Sequence, residues 1–365
     1  MKKPVLKLLN HTLKRNISNS KLLKTTVLLL IYLAAAVVFA YAKEPARGPV
    51  QSTDGPGGSF YAHESITHWE SGKNHERYQV FEPASPSVKK AGFVLMIHDR
   101  MTPDPEFYLG QIRHLCRKGW IVLFPFYQGT NQFERHYMFN VIRSTKDFML
   151  KIFARGKIEL DTSKFAITGV GCGAVLAVNT AACADYFGLP KPLAIMPVMP
   201  EHGFFKLLDL TGISRESRLL IISGDKAAPP NAQLAHDIFY TADRVKINNK
   251  ALVYVLSDYY GQPPLMADQL SPLSPEKPNY EKFLVANRNT FIKAYKDEFS
   301  APYTQGKPID AYDWKVTYRL FDVLTDLTFN HNTDLAHLKK SKDLKNMGYW
   351  SDGKKLKNLI ITDRP

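Results

Sequence analysis

Most of the residues with chemical potential lie near glycines. Phe165 to Thr168 is a short apolar run, and it leads without a break into Gly169-Val170-Gly171-Cys172-Gly173. Cys172 is a candidate nucleophile, because a thiol at a helix start gains acidity from the helix dipole. The plainer reading is a small buried thiol. Asp225, in Ser223-Gly224-Asp225-Lys226, is the candidate acid that would orient a base, and Glu201 is the other; either carboxylate is equally at home in a solvated loop. Arg100, in His98-Asp99-Arg100-Met101, would bring a fixed positive charge able to hold a carboxylate or phosphate. Its alternative is a salt bridge to Asp99 or Asp104. Tyr259 and Tyr260, in the loop from Ser257 to Gln269, are candidate ligand-binding aromatics. There is no Cys-x-x-Cys, His-Glu-x-x-His or Walker loop, so the sequence points to no metal and no cofactor. Gly169-x-Gly-x-Gly lacks the third spaced glycine of a dinucleotide loop.

These residues need a scaffold, and the chain reads as strands alternating with helices. His63 to Trp69 and Tyr78 to Phe81 form a hairpin around Ser71-Gly72-Lys73-Asn74. Gly92 to Ile97 and Trp120 to Phe126 are continuous apolar runs, the pattern of strands buried on both faces. Between them Asp104-Pro105 caps a helix that Gly119 stops. Met138, Val141, Ile142, Thr145, Phe148, Met149 and Ile152 mark a long amphipathic helix. Pro192 to Val198, Arg218 to Ser223 and Ala251 to Leu256 complete the strands, with helices near Ala232 to Tyr240 and Tyr280 to Tyr295. Alternation of this kind predicts a mostly parallel sheet covered on both faces.

An antiparallel hairpin, strand-helix repeats and a glycine-rich turn at the fifth strand resemble the α/β-hydrolase fold over residues 60–299. The resemblance implies a nucleophile elbow, Gly-x-Ser-x-Gly, in which the residue after the serine donates its N–H to an oxyanion. Gly169 and Gly173 match the flanking glycines, which places Gly171, without a side chain, where the serine belongs. A shift by one residue would make Cys172 the nucleophile, with branched Val170 where the turn wants the smallest residue. The acid position after the seventh strand falls on Ala227, with Asp225 two residues early. The loop after the last strand, where the family carries its histidine, has none, and no histidine occurs between Asp243 and Asn330. His331 and His337 lie about 75 residues further on, in a C-terminal extension. His98 fits the family's oxyanion loop, but Asp99 and Arg100 stand where permissive glycines would be. The loss of the nucleophile at Gly171, of the acid at Ala227 and of the histidine together point to a non-catalytic scaffold that binds a small-molecule ligand or an envelope protein partner. The alternative is an exported esterase or acyl hydrolase using Cys172, with Asp225 or Glu201 and a relocated His331 or His337, or using an unrecognised nucleophile.

The composition, 45% hydrophobic and 22% charged over 365 residues, is that of a globular chain and excludes collagenous and wholly disordered classes. The net charge of +14 suggests nucleic acid only until it is mapped. Lys2, Lys3, Lys7, Lys14, Arg15, Lys21 and Lys24 supply half of it before the first acid, Glu44. Residues 25–42 carry no charge and end in Ala40-Tyr41-Ala42. Residues 1–42 read as a signal peptide cleaved before Lys43 or as an uncleaved membrane tether through 25–42, with the rest exported to the periplasm; the plainer reading of 25–42 is a buried core helix. Nucleic acid is therefore not an expected partner. Residues 43–59 read as a linker. Residues 300–365 read as an extension that packs on the domain or docks a partner through Tyr349 and Trp350. Cys172 and Cys183, on one helix, lie about 16 Å apart and cannot bridge, so three free thiols are expected.

Overall fold

A computed structural model describes residues 24, 25, 28, 44–128, 133–203, 206–275 and 309–365. The chain divides into two compact units, Met1–Pro45 and Ala46–Pro365. In the first, Lys24, Thr25 and Leu28 are helical and exposed. The rest of the expected tether lies outside the described residues, as does the helix expected over 280–295. Among the described residues no helix is long and apolar enough to cross a membrane.

The described residues of the second unit build one nine-stranded sheet: β1 (Ser65–Ser71), β2 (Tyr78–Ala84), β3 (Lys90–Ile97), β4 (Ile121–Pro125), β5 (Glu159–Val170), β6 (Ala194–Val198), β7 (Arg218–Gly224), β8 (Lys250–Val255) and β9 (Ile360–Thr362). Their spatial order is β1-β2-β4-β3-β5-β6-β7-β8-β9. The hairpin pairs Ser65 with Ala84, and β2 joins β4 antiparallel. From β4 to β8 every pairing is parallel. This is the α/β-hydrolase-like arrangement. β5 begins earlier than its apolar signal, because Asp161 to Lys164 interrupt the hydrophobic run. Its first residues still pair with β3, Lys90 opposite Glu159, before a register shift near Gly92.

Side chains alternate across the strands and feed two cores. Val94 and Met96 of β3 face α1 (Leu109–Arg117) and the C-terminal elements, while Phe93, Leu95 and Ile97 face α2 (Tyr137–Arg155), α3 (Cys172–Cys183) and α4 (Pro229–Thr241). Asp104 caps the 3₁₀ turn before α1, accepting from Glu106 N at 2.9 Å. The expected helix after Asp313 starts as a π-helical turn, Asp313–Tyr318, and continues as α5 (Arg319–Phe329).

The C-terminal elements are integral to the first core. β9 pairs antiparallel with β8. His114 on α1 is buried and meets the Asp322 carboxylate of α5 at 3.0 Å. The Pro- and Gly-rich segment after Ala46 is laid on the same elements: Gly57 N donates to Asp322 and Ser351 N to the Arg47 carbonyl. Trp350, a docking anchor in the sequence reading, is instead turned inward and 2% exposed, while Tyr349 stays exposed.

Candidate functional site

In open parallel sheets, ligands and chemistry gather at the carboxyl ends of the strands. Here the ends of β3, β5, β6, β7 and β8 deliver His98 to Arg100, Gly171 and Cys172, Glu201, Asp225, and Ser257.

The turn between β5 and α3 keeps the shape of a nucleophile elbow. Gly171 sits at φ 58° and ψ −123°, a conformation that disfavours any side chain. Both flanking glycines are required by close approach. A Cβ on Gly169 would lie 2.1 Å from the Gly173 carbonyl, and one on Gly173 would lie 2.3 Å from the carbonyls of Ile97 and His98. The alignment with Gly171 at the apex is thus the one the backbone adopts.

The space beside the apex is filled. A Cβ on Gly171 would lie 2.2 Å from Asp99 Oδ1. The same oxygen accepts from Cys172 N at 2.8 Å, and Asp99 Oδ2 accepts from Met101 N at 3.4 Å. Cys172 N is the donor that an acyl-transfer site would aim at its oxyanion. Asp99 therefore takes both the room that a side chain on residue 171 would need and the backbone donor of Cys172. Burial raises its carboxyl above the usual range, against the pull of these N–H donors and of Arg100.

Cys172, Asp99 and Glu201 form one cluster, with ligand atoms all within 4.8 Å of one another. Glu201 reaches it because its N–H donates to the Gly171 carbonyl at 3.2 Å. Just before it, Met199 holds φ 47°, uncommon for a non-glycine residue, as the chain leaves β6. Burial pushes Glu201 up to about 7, the Asp99 charge adds to this, and Arg100 opposes it. The Cys172 thiol is raised far above its ordinary value by burial and then by the Asp99 and Glu201 charges. No imidazole nitrogen of the described residues joins the cluster. This thiol is kept protonated, the reverse of an activated nucleophile.

The Arg100 charge faces this cluster, since it draws the carboxyls of Asp99, Glu201 and Glu134 down. Asp104, the alternative partner, is committed to its helix cap. His98 lies between Phe124 and Tyr127, its ring stacked 4.2 Å from that of Tyr127, and its Nδ1 bonds the Asp99 carbonyl at 2.8 Å. Burial lowers it to about 4, so it stays neutral.

Asp225 does not reach Cys172. It stands two strands away, about 10 Å across the sheet, and accepts from Ser257 N at 3.0 Å and Ser257 Oγ at 2.6 Å. Ser257 Oγ in turn accepts from Ala267 N. An acid after β7 is thus bonded to the loop after β8, as an acid–base pair would be, but the partner is a serine. His331, on the extension, pairs with Asp326 at 3.1 Å on the surface. Tyr259 lies under the Lys226 ammonium, 5.4 Å from its ring centroid, and Tyr260 donates to Asp352 at 2.6 Å. Both tyrosines are exposed, and their contacts tie the loop to Lys226 and to the C-terminal turn.

Cys172 with Asp99 and Glu201 is the one group among the described residues with metal-ligand geometry. It suits a cation poorly. Asp99 is bonded to backbone N–H groups, the positive end of α3 points at the cluster, and Arg100 adds another positive charge. The sequence reading missed the role of Asp99. The available signal was a carboxylate in a loop that favours glycine, with a glycine at the apex that favours a side chain.

No protein-family model matches this chain, and no curated protein matches it. Among solved structures, one from a study of two esterases of Rhizomucor miehei has a TM-score of 0.42 and 9% identity, covering 53% of this chain and 76% of that one. Esterase B from Lactobacillus rhamnosis has a TM-score of 0.40 and 17% identity, covering 66% of this chain and 84% of its own. Its C6-C4 SN3 inhibited form has 16% identity, a TM-score of 0.40, and coverage of 64% and 84%.

Proposed function

We propose that this chain is an exported hydrolase-fold protein that performs no acyl transfer and binds a ligand or protein partner in the cell envelope. The observation that carries the non-catalytic part is the Asp99 carboxyl at the apex of the turn, bonded to Cys172 N beside a side-chain-free Gly171. A serine-type or thiol-type mechanism needs an attacking atom, a base and an empty anion hole. Here the attacking position is bare, the hole is occupied, and Ser257 stands where an acid would orient a base. The Cys172 esterase reading would need a thiolate, and burial first, then the neighbouring carboxyls, disfavour one.

Fluorophosphonate and iodoacetamide probes, with an ester panel, test this on the wild-type chain and on Cys172→Ala. The expected result is no turnover and no fluorophosphonate adduct in either. Turnover that disappears with Cys172→Ala would establish the esterase instead. Export rests on the seven cations before the uncharged stretch 25–42. Sequencing the N-terminus of the fractionated protein tests it: a start at Lys43 marks cleavage, a retained Met1 in the membrane fraction marks a tether, and a cytosolic soluble chain overturns export.

A further inference from the structure

Helix α2 has two apolar faces, and the fold buries only one. Val141, Phe148 and Ile152 face the second core. On the opposite side Phe139, Arg143, Lys146, Leu150 and Phe153 follow one another at spacings of four, three, four and three residues. All five are exposed, Leu150 by 71% and Phe153 by 86%. At 100° per residue they fall within an arc of about 80°, and they span about 21 Å. Phe187 meets Phe139 edge-on at 5.8 Å and carries the apolar stripe over to Tyr186, which is 87% exposed. An apolar patch of this kind, left uncovered by its own fold, marks a surface that something else covers.

The charge beside the stripe identifies what covers it. Four cations lie on α2, and its single acid, Asp147, is turned inward to accept from Tyr78 Oη at 2.8 Å. Arg143 and Arg155 have acidic partners in Glu76 and Glu82. Lys146 and Lys151 are exposed and have no acidic partner among the described residues. Asp185, near Tyr186, faces Lys191 at 3.6 Å. Large apolar side chains with uncompensated Lys146 among them, and Lys151 on the flank of the helix about 120° round from the centre of the stripe, match the interfacial zone of a bilayer that carries anionic headgroups. A protein partner for the same stripe would have to be acidic and apolar at once; the bilayer supplies both over any length. We propose that the outer face of α2 lies on an anionic phospholipid surface, with Leu150 and Phe153 inserted at the level of the headgroups. This holds whether or not the elbow is catalytic, and it needs no particular state of the N-terminal segment.

The test reads the face itself. The full chain carries an environment-sensitive fluorophore on Ala154→Cys, in a Cys183→Ser background that leaves only the buried Cys116 and Cys172. It is mixed with vesicles of phosphatidylcholine alone or with one-third phosphatidylglycerol, each with or without nitroxide-labelled lipid. The expected result is a blue shift and nitroxide quenching with phosphatidylglycerol only, reversed by high salt. Lys146→Gln and Lys151→Gln should each weaken this contact roughly fivefold. Leu150→Ser with Phe153→Ser should abolish the blue shift, and unchanged circular dichroism would show that the fold is intact. Equal signals on both vesicle types, or no signal on either, would overturn the proposal even in a chain anchored by its N-terminus. A blue shift that grows with protein concentration without vesicles would assign the stripe to a second copy of the chain and overturn it too.

Discussion

Asp99 and Gly171 share one space: the carboxylate of the first lies where a side chain on the second would have to be, 2.2 Å from where its Cβ would stand. The two residues come from different strand ends, β3 and β5, which pair in parallel up to Ile97 opposite Gly169. Their sizes are therefore coupled. A glycine at the apex admits the carboxylate, and the carboxylate satisfies the Cys172 N–H, which would otherwise be a buried donor without a partner.

That coupling is measurable. Gly171→Ala introduces both a clash and an unfavourable positive φ, and should cost about 2–4 kcal/mol. Asp99→Ala orphans the Cys172 N–H and should cost about 1–3 kcal/mol. In the double variant the clash is gone, so its loss should fall short of the sum by about 1–3 kcal/mol in urea denaturation. Strict additivity would show that the two side-chain spaces do not overlap.

Glu201 gives a pH prediction of definite sign. Its carboxyl moves from an ordinary 4.5 up to about 7 in the folded chain. Between those values the folded state holds more protons than the unfolded, so the stability attached to Glu201 is present below 4.5 and is lost as pH rises through 7. Glu201→Gln should recover about 1–2 kcal/mol at pH 8 relative to pH 5, a figure reduced for the solvent that reaches this partly exposed group. His98, lowered to about 4, works the other way, losing its contribution as pH falls from 6.5 toward 4. The comparison is therefore between variant and wild type, by thermal midpoints at the two pH values; parallel profiles would remove Glu201 from the account.

The three thiols should separate by reactivity. Cys116 and Cys172 are buried with strongly raised thiols, whereas Cys183 is only partly buried and is raised by burial alone. With Ellman's reagent at pH 8, one thiol should react quickly and the other two only as fast as the chain opens. Cys183→Ser should remove the fast phase. A fast phase lost instead in Cys172→Ala would place an accessible thiol at the elbow.

Much of the scaffold was legible because buried strands carry continuous apolar runs. Gly92 to Ile97 and Arg218 to Ser223 announced themselves in this way, and the Gly169/Gly173 spacing fixed the elbow. What was hidden depended on contacts between distant segments. Nothing local in Asp99 says that its side chain will turn across to Cys172, since that geometry exists only once β3 and β5 are paired. Glu159 to Lys164 carry no strand signal for a similar reason: this largely polar run opens a strand whose first residues, Glu159 and Leu160, pair with Lys90 and Ala91, nearly 70 residues away. Trp350 misled for the opposite reason. An aromatic in a polar turn suggests a surface anchor, and only the loop at Gly261, distant in sequence, makes it interior.

Trp350 accordingly yields a stability prediction where the sequence suggested a binding one. Its ring lies against the Gly261 backbone so closely that a Cβ there would approach Trp350 Cζ3 to 1.9 Å. Around this contact the Gln262 N–H donates to the Ala46 carbonyl at 2.9 Å, and the Ser351 N–H donates to that of Arg47. One indole thus closes three segments: the start of the second unit, the loop after β8 and the C-terminal turn. Trp350→Ala removes that wedge from the first core and should cost about 3–5 kcal/mol. The loss should be local first, because the segment after Ala46 carries few other buried apolar groups. Hydrogen exchange should therefore speed up between residues 46 and 60 and around β9 at denaturant levels that leave β3 to β7 protected. Trp350→Phe, which keeps the wedge in reduced form, should retain most of the protection. A Trp350→Ala chain with wild-type stability and exchange would mean that the indole is not a core residue, and would return it to the role of an exposed anchor.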